Sequence, residues 1–354
     1  MKAAIRERAK ELGFDVCRFT SAAPPASADR LHAWLGRAHH GEMSYLARTV
    51  DKRAAPDRVL PGAKTVICLA VSYFNRETGS RGGGQVSPHG LVARYSRHTD
   101  YHEVLGERLK DLAAFVDCTT GGGERSLWYV DTGPILERDL AQRAGIGFIG
   151  KHTNLISREL GNWILLAEIL TTTEIEPDTP EVNRCGSCTR CITACPTRAI
   201  TEPFQLDARL CISYLTIELK GAIPIELRPL IGNRIFGCDD CLAACPWNRF
   251  AQEGRLMRYH ARPELDLLDL IELLQLDDAA FKSRFRGTPL LRAKRRGLRR
   301  NACVALGNIG DPDALPALRA ARLDNESLVA EHAQWAIERI DLRFRGESAV
   351  NSCH

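Results

Sequence analysis

The stretch from Cys185 to Cys245 constrains this chain more than any other. It reads Cys185-Gly186-Ser187-Cys188-Thr189-Arg190-Cys191-Ile192-Thr193-Ala194-Cys195-Pro196, and later Cys238-Asp239-Asp240-Cys241-Leu242-Ala243-Ala244-Cys245-Pro246. The first run has the full C-x2-C-x2-C-x3-C-P spacing of a module that binds two [4Fe–4S] clusters. The second keeps C-x2-C-x3-C-P, with Ile235 where its leading cysteine belongs, and Cys211 between the runs is the natural replacement. In such modules the cysteine before the proline ligates the other cluster. The spacing therefore predicts one cluster on Cys185, Cys188, Cys191 and Cys245, and a second on Cys195, Cys211, Cys238 and Cys241. A short C-x2-C-x2-C loop wraps one face of a cubane, and the fourth ligand arrives from across the module, so the crossed runs lock each other. Zinc sites use pairs of C-x2-C, and disulfides require an oxidising compartment. Neither explains this pattern as well.

At 354 residues the chain has length for two or three domains. We expect an α/β domain over 1–175, a ferredoxin-like two-cluster module over 176–255, an α-helical HEAT-like repeat domain over 256–345 and a tail over 346–354. With 44% hydrophobic and 26% charged residues, extensive disorder is not expected. The first residues, MKAAIRERAKELGFDVC, form an amphipathic helical pattern without an apolar leader core or a twin arginine. No apolar run approaches the roughly 20 residues that span a bilayer. The expected location is the cytoplasm, where Cys17, Cys68, Cys118, Cys303 and Cys353 are core or surface thiols.

The N-terminal half alternates strand and helix signals. Thr65–Val71 reads as a buried strand, and His102–Val116 as a helix with Val104, Leu105, Leu109, Leu112 and Phe115 on one face. Leu127–Val130 reads as a strand, Asp131–Pro134 as a turn, and Ile135–Arg143 as a helix with Pro134 near its start. The residues 145–154 read as a loop and Trp163–Leu170 as a further strand. Asp131 leaves a strand end, a usual place for catalytic groups in α/β folds; a turn aspartate is the plainer reading. Arg94-Tyr95-Ser96-Arg97-His98-Thr99-Asp100-Tyr101-His102 packs charge and aromatics densely enough to line an anionic cofactor pocket, or forms a solvated loop. Gly145, Gly147 and Gly150 match G-x-G-x-x-G in spacing, but they follow a helix rather than opening one after a strand, so dinucleotide binding is rejected.

Between the cysteine runs, Ser213 and Tyr214 can touch a cluster or a neighbouring cofactor, or merely pack a helix start. Further on, Lys282, Arg284, Arg286, Arg292, Lys294, Arg295, Arg296, Arg299 and Arg300 place nine basic residues in a stretch without an acid. The net charge of +4 hides this asymmetry. Such a run is the footprint of phosphate binding, or else a solvated helix face. Ala302, Val304, Ala305, Leu306 and Ile309 recur as Ala333, Trp335, Ala336, Ile337 and Ile340, a period of 31. That is the helix-pair pattern of a HEAT-like array.

Together these motifs resemble the cobalamin-dependent epoxyqueuosine reductases of tRNA modification, over nearly the whole chain. The resemblance rests on Val130-Asp131-Thr132-Gly133-Pro134-Ile135-Leu136-Glu137-Arg138, on Gly147-Phe148-Ile149-Gly150-Lys151-His152-Thr153-Asn154, on Cys211-Ile212-Ser213-Tyr214-Leu215-Thr216-Ile217-Glu218, and on both cysteine runs with Pro246-Trp247-Asn248. It implies a base-off cobalamin between the α/β domain and the cluster module, and Asp131 as proton donor. It places Arg53, Arg94, Lys151, Asn154, Ser213 and Tyr214 in segments that line the corrinoid or its approach. The D-x-H-x-x-G signature of a histidine-ligated corrinoid is absent: Asp100-Tyr101-His102 is followed by Leu105 at the glycine position, so His102 is not assigned to cobalt.

The implied chemistry converts epoxyqueuosine to queuosine at the wobble position of tRNA. Cob(I)alamin is a strong two-electron nucleophile formed at low potential, which [4Fe–4S] clusters reach. An external low-potential donor would feed them. Asp131 must be protonated when it meets the epoxide oxygen, and a desolvated pocket would favour that form. Lys282, Arg284, Arg292, Lys294, Arg295, Arg296, Arg299 and Arg300 would hold the anticodon stem-loop by its phosphates while the base is splayed out. A monomer without membrane contact is expected. The competing readings are a corrinoid reductive dehalogenase, which has no use for the basic run, and an electron-transfer ferredoxin fused to an interaction array.

Overall fold

The computed structural model describes residues 1–76, 88–119 and 123–351. Its N-terminal half is built on four strands, β1 (Val16–Ser21), β2 (Thr65–Ser72), β3 (Ser126–Tyr129) and β4 (Ile164–Thr171), lying in the order β1-β2-β4-β3. All three pairings are antiparallel. β2, β3 and β4 therefore fall where the apolar runs predicted them, while β1 begins inside the stretch 1–17 read as helical, whose helix ends at Glu11. The sheet is not the parallel one in which ligands gather at strand ends. Asp131 follows an edge strand, and its placement must be explained by its own turn.

β2 is buried along its whole length. Ile67, Leu69 and Val71 face one core with Phe14, Phe19 and the helix α1 (Tyr101–Thr119). Val66, Cys68 and Ala70 face a second core with Ile135, Leu140 and the helix α2 (Glu137–Arg143). This is the two-residue alternation of a pleated strand. At about 1.5–3 kcal/mol for each fully buried aliphatic side chain, β2 anchors both layers. α1 begins one residue before the expected span and runs three beyond it, with Val104, Leu105, Leu109 and Leu112 buried. α2 starts later than expected, at Glu137 with Leu136 as its cap. Asp131 has a φ of 57°, and this left-handed turn delays the helix. The expected loop over 145–154 contains a small hairpin, Phe148–Ile149 paired with Leu155–Ile156.

A second sheet stitches the three regions together. His89–Val92 pairs in parallel with Arg234–Phe236 of the cysteine module and antiparallel with Leu268–Asp269 of the C-terminal part. Leu256 and Met257, beyond the module, are buried in the N-terminal core.

The C-terminal part contains α3 (Lys294–Ile309), α4 (Leu315–Arg322) and α5 (Ser327–Asn351). Ala302, Ala305 and Leu306 of α3 share one core with Ala333, Ala336, Ile337 and Ile340 of α5, so the 31-residue repeat marks the faces of two packed helices. Gly307 lies where a Cβ would collide with Trp335, which lets these helices approach closely. α5 continues through Asn351, across the expected tail boundary, and Cys353 lies outside the described residues. Among the described residues no helix is long and apolar enough to cross a membrane.

Candidate active site between the sheet and the cysteine module

Asp131 sits at the mouth of an open cavity of about 420 Å³. Its Oδ2 accepts a hydrogen bond of 2.8 Å from the Tyr101 hydroxyl at the start of α1. His102 Nε2 stands 3.8 Å from the same oxygen, while its Nδ1 is 2.7 Å from Asp100 Oδ1. Burial, and next the charge of Asp131, push the Tyr101 phenol far above its usual range, so it remains a hydroxyl donor. The Asp131 side chain is 50% exposed. The expected desolvated acid is therefore only half enclosed by the chain itself, and the rest of its surroundings faces the cavity.

The same cavity is lined by Cys195, Cys211, Cys238 and Cys241. Cys241 feels the charges of Cys211, Cys238 and Cys195, while Cys191 and Cys245 each feel that of Cys185. Cys185 also packs against the apolar cluster that contains Cys245, and Cys211 and Cys238 flank one cluster and feel each other's charge. The two runs thus cross in space, bringing each cysteine before a proline toward the other run's loop. Among the described residues, no three His, Cys, Asp or Glu side chains are gathered as ligands of a single ion. Burial pushes the Cys238 thiol up to about 12. Such thiols lose their protons only when a metal supplies the compensating charge. The donor set is suited to iron–sulfur cubanes, one beside the cavity and one behind it.

Of the residues expected around the corrinoid, Asn154 and Ser213 line the cavity. Arg53 is half-buried, donates to the Ile135 carbonyl at 3.0 Å, and is close enough to feel Asp131 and Glu137. Arg94 stacks on Trp163, and its backbone N–H donates to Asp239 between two cluster cysteines. Lys151 and Tyr214 belong to segments that reach the cavity, yet their own side chains turn elsewhere. Lys151 is buried and spends its ammonium on the Cys188 carbonyl at 2.9 Å, within the outer cysteine loop. Tyr214 is buried in an apolar cluster and accepts the Glu42 N–H through its hydroxyl, pinning a loop rather than facing the cavity.

The basic run divides in the same way. Lys282, Arg286, Arg292, Lys294 and Arg296 are exposed. Arg292 pairs with Glu218 at 2.6 Å and feels Asp131, so the run reaches the cavity mouth. Arg284 pairs with Glu272, and Arg295 donates to the Leu276 carbonyl. Arg299 and Arg300 leave the phosphate-binding set: Arg299 is buried against Asp324, and Arg300, 1% exposed, donates to the carbonyls of Leu215, Leu219 and Gly221. The apolar face of α3 draws these two arginines inward, where backbone carbonyls and one carboxylate hold them.

Tyr95 and Tyr101, from the stretch 94–102 read as a pocket wall or a solvated loop, line the cavity, while sequence reasoning gave no role to Glu137 or Glu168. The signal for Glu168 was present, since it is a carboxylate inside the apolar run Ile164–Thr171. His152 and Asn162 were also missed; both are buried on the cavity wall, where their side chains meet each other and have no other partner for His152 Nε2 or Asn162 Oδ1 among the described residues. Burial holds the His152 imidazole down to about 4, hence neutral.

Sequence profiles of three families match this chain. They are described as 4Fe-4S double cluster binding domain (residues 184–248), epoxyqueuosine reductase QueG, DUF1730 (residues 53–132), and HEAT repeats (residues 288–338). The chain is 43% identical over 338 residues to the epoxyqueuosine reductase of Xanthomonas campestris pv. campestris, covering 95% of each. It is 40% identical over 340 residues to that of Pseudomonas aeruginosa, covering 95% of this chain and 93% of the relative. A crystal structure of epoxyqueuosine reductase with a tRNA-Tyr epoxyqueuosine-modified stem loop superposes with a TM-score of 0.89 at 35% identity, covering 96% of this chain and 90% of that one.

Proposed function

The chain belongs to the epoxyqueuosine reductase family, oxidoreductases with a double [4Fe–4S] cluster domain, and from that premise we propose that it reduces epoxyqueuosine to queuosine at the wobble position of tRNA. A single observation carries the reading: one cavity touches both Asp131 and the thiols Cys195, Cys211, Cys238 and Cys241. A cofactor held there meets the acid on one side and an electron source on the other. Base-off cobalamin suits the place, because the polar wall of Asn154, Ser213, His152 and Asn162 offers hydrogen bonds to amide-bearing side chains. When bound, the clusters and the reduced corrinoid supply low-potential electrons and a two-electron nucleophile.

The chain's own residues do the rest. Asp131 holds the proton that meets the epoxide oxygen, and Tyr101 fixes its carboxyl orientation through the 2.8 Å hydrogen bond. Substrate entering the mouth covers the exposed half of Asp131 and excludes water there. Arg292, at the mouth, and the exposed Lys282, Lys294 and Arg296 engage the phosphates of the anticodon stem-loop. Cys185, Cys188, Cys191 and Cys245 hold the outer cluster and Cys195, Cys211, Cys238 and Cys241 the inner one, supported by the crossed packing of the runs. Electrons from an external low-potential donor enter at the outer set, whose four cysteines stand away from the cavity lining.

The test is corrinoid stoichiometry. Protein reconstituted anaerobically with iron and sulfide should bind one cobalamin and show base-off absorption. A second class, an electron-transfer module without its own reaction, predicts filled clusters and no corrinoid; that outcome would overturn the reading.

A further inference from the structure

Behind Asp131 lies a second acidic site. Glu137 opens α2 and lines the cavity; Glu168 sits at the centre of β4, opposite Cys68 of β2 and Tyr129 of β3. Glu168 is 0% exposed, on the face where Leu166 and Leu170 pack toward α2. Among the described residues, neither of its oxygens, nor Oε1 of Glu137, has a donor, although the two side chains meet within hydrogen-bonding reach of each other. Two ionised carboxylates cannot bond in that way, and a buried dianion is costly. One proton between them converts the contact into a hydrogen bond.

The groups that face the pair agree with this. Glu137 feels Asp131, Arg138 and Glu168, and it accepts the backbone N–H of Asp131; Arg53 stands beside it. Glu168 feels Glu137 and Asp131, with Cys68 and Tyr129 as titratable neighbours on the flanking strands. Among the described residues no cation faces Glu168 directly. Burial pushes both carboxyls up, Glu137 to about 8.

We infer that Glu137 and Glu168 form a proton reserve that reloads Asp131 within one turnover. The inference rests on the epoxide-reduction reading, whose balance demands it. Epoxide, two electrons and two protons give alkene and water. The first proton, from Asp131, goes to the oxygen as the C–O bond opens. The second must reach the same oxygen as it departs as water, and Asp131 has by then become a carboxylate. The shared proton passes from Glu137 to Asp131, and Arg138 and Arg53 offset the charge left behind. Solvent then refills the pair. Glu137 and Glu168 act through Asp131 and need not touch substrate.

Glu168→Gln tests this, since it keeps the shape and gives Glu137 a permanent N–H donor with no proton to share. In substrate-free, cluster-loaded protein near neutral pH that also carries Asp131→Asn, which removes the band of the acid itself, infrared difference spectra in water and heavy water should show a protonated carboxyl with Glu168 present and lose it with Glu168→Gln. This readout does not depend on which substrate is reduced, so its failure and the failure of the functional reading can be told apart. On epoxyqueuosine tRNA, the wild-type rate should stay level up to about pH 8, while the variant's rate should fall about tenfold per pH unit across that span, as the proton must come from solvent. A carboxyl band retained in the variant overturns the reserve. A variant with wild-type pH dependence, or one slowed equally at every pH, overturns its use. If Glu168→Gln does not fold, Glu137→Gln gives the same readouts.

Discussion

Asp131 owes its position to local geometry: a left-handed backbone, a tyrosine hydroxyl on its carboxylate, and Glu137 receiving its N–H. Asp131→Asn should therefore leave the corrinoid spectrum and iron content unchanged while lowering turnover about a hundred- to ten-thousand-fold, the usual loss for a general acid. Single-turnover assay of cofactor-loaded protein checks this. The buried pair behind it has a stability signature. Glu137 keeps in the folded state a proton that the unfolded chain releases above 4.5, so stability falls as pH rises from 4.5 toward about 8. Glu168→Gln should flatten that decline in thermal melts; an unaltered slope would place the proton elsewhere. At this scale the sequence was legible where a residue type has few uses. An aspartate after a strand end reads equally well as a turn residue, whereas cysteines spaced for clusters declare themselves. Tyr214 and Lys151 did not, because motif membership does not say which way a side chain turns: one pins Glu42, the other a cysteine loop.

The basic stretch shows how an element redistributes the charges of its sequence. Helix α3 begins among exposed cations and then turns its following face inward, so Lys294 and Arg296 meet solvent while Arg299 and Arg300 are buried. Neutralising Arg292, Lys294 and Arg296 together should weaken tRNA binding and lower its salt slope by about 0.7–0.9 for each phosphate no longer neutralised. Filter binding across a salt series measures it, with an unchanged slope placing the RNA elsewhere. Arg300→Ala should instead destabilise the fold, since each orphaned buried carbonyl costs about 1–3 kcal/mol; urea denaturation reads this directly. Strand positions were legible because apolar runs such as Thr65–Ser72 are covered on both faces. Antiparallel pairing was not, since helix-and-strand alternation is compatible with either direction.

Across the whole molecule, the cysteine module is held on both sides. Its strand Arg234–Phe236 pairs with the N-terminal half, and Arg300 and Asn301 of α3 hold its backbone through the carbonyls of Leu215, Thr216 and Ile235. Burial pushes the thiols of Cys211, Cys238 and Cys241 up, so metal binding, which takes them as thiolates, is coupled to the fold. Iron removal under reducing conditions should lower the melting temperature of the entire chain, and anaerobic reconstitution should restore it. This interleaving was hidden from the sequence, where the repeats and the cysteine runs read as successive blocks. The central claim, reduction at one cavity shared by acid and clusters, is tested most directly by mass. Cobalamin- and iron-loaded protein with a low-potential reductant is given epoxyqueuosine tRNA under anaerobic conditions, and the digested nucleosides are weighed. The account predicts a nucleoside lighter by one oxygen, formed only with cobalamin present. An unchanged mass, with clusters and corrinoid verified as bound, would contradict it.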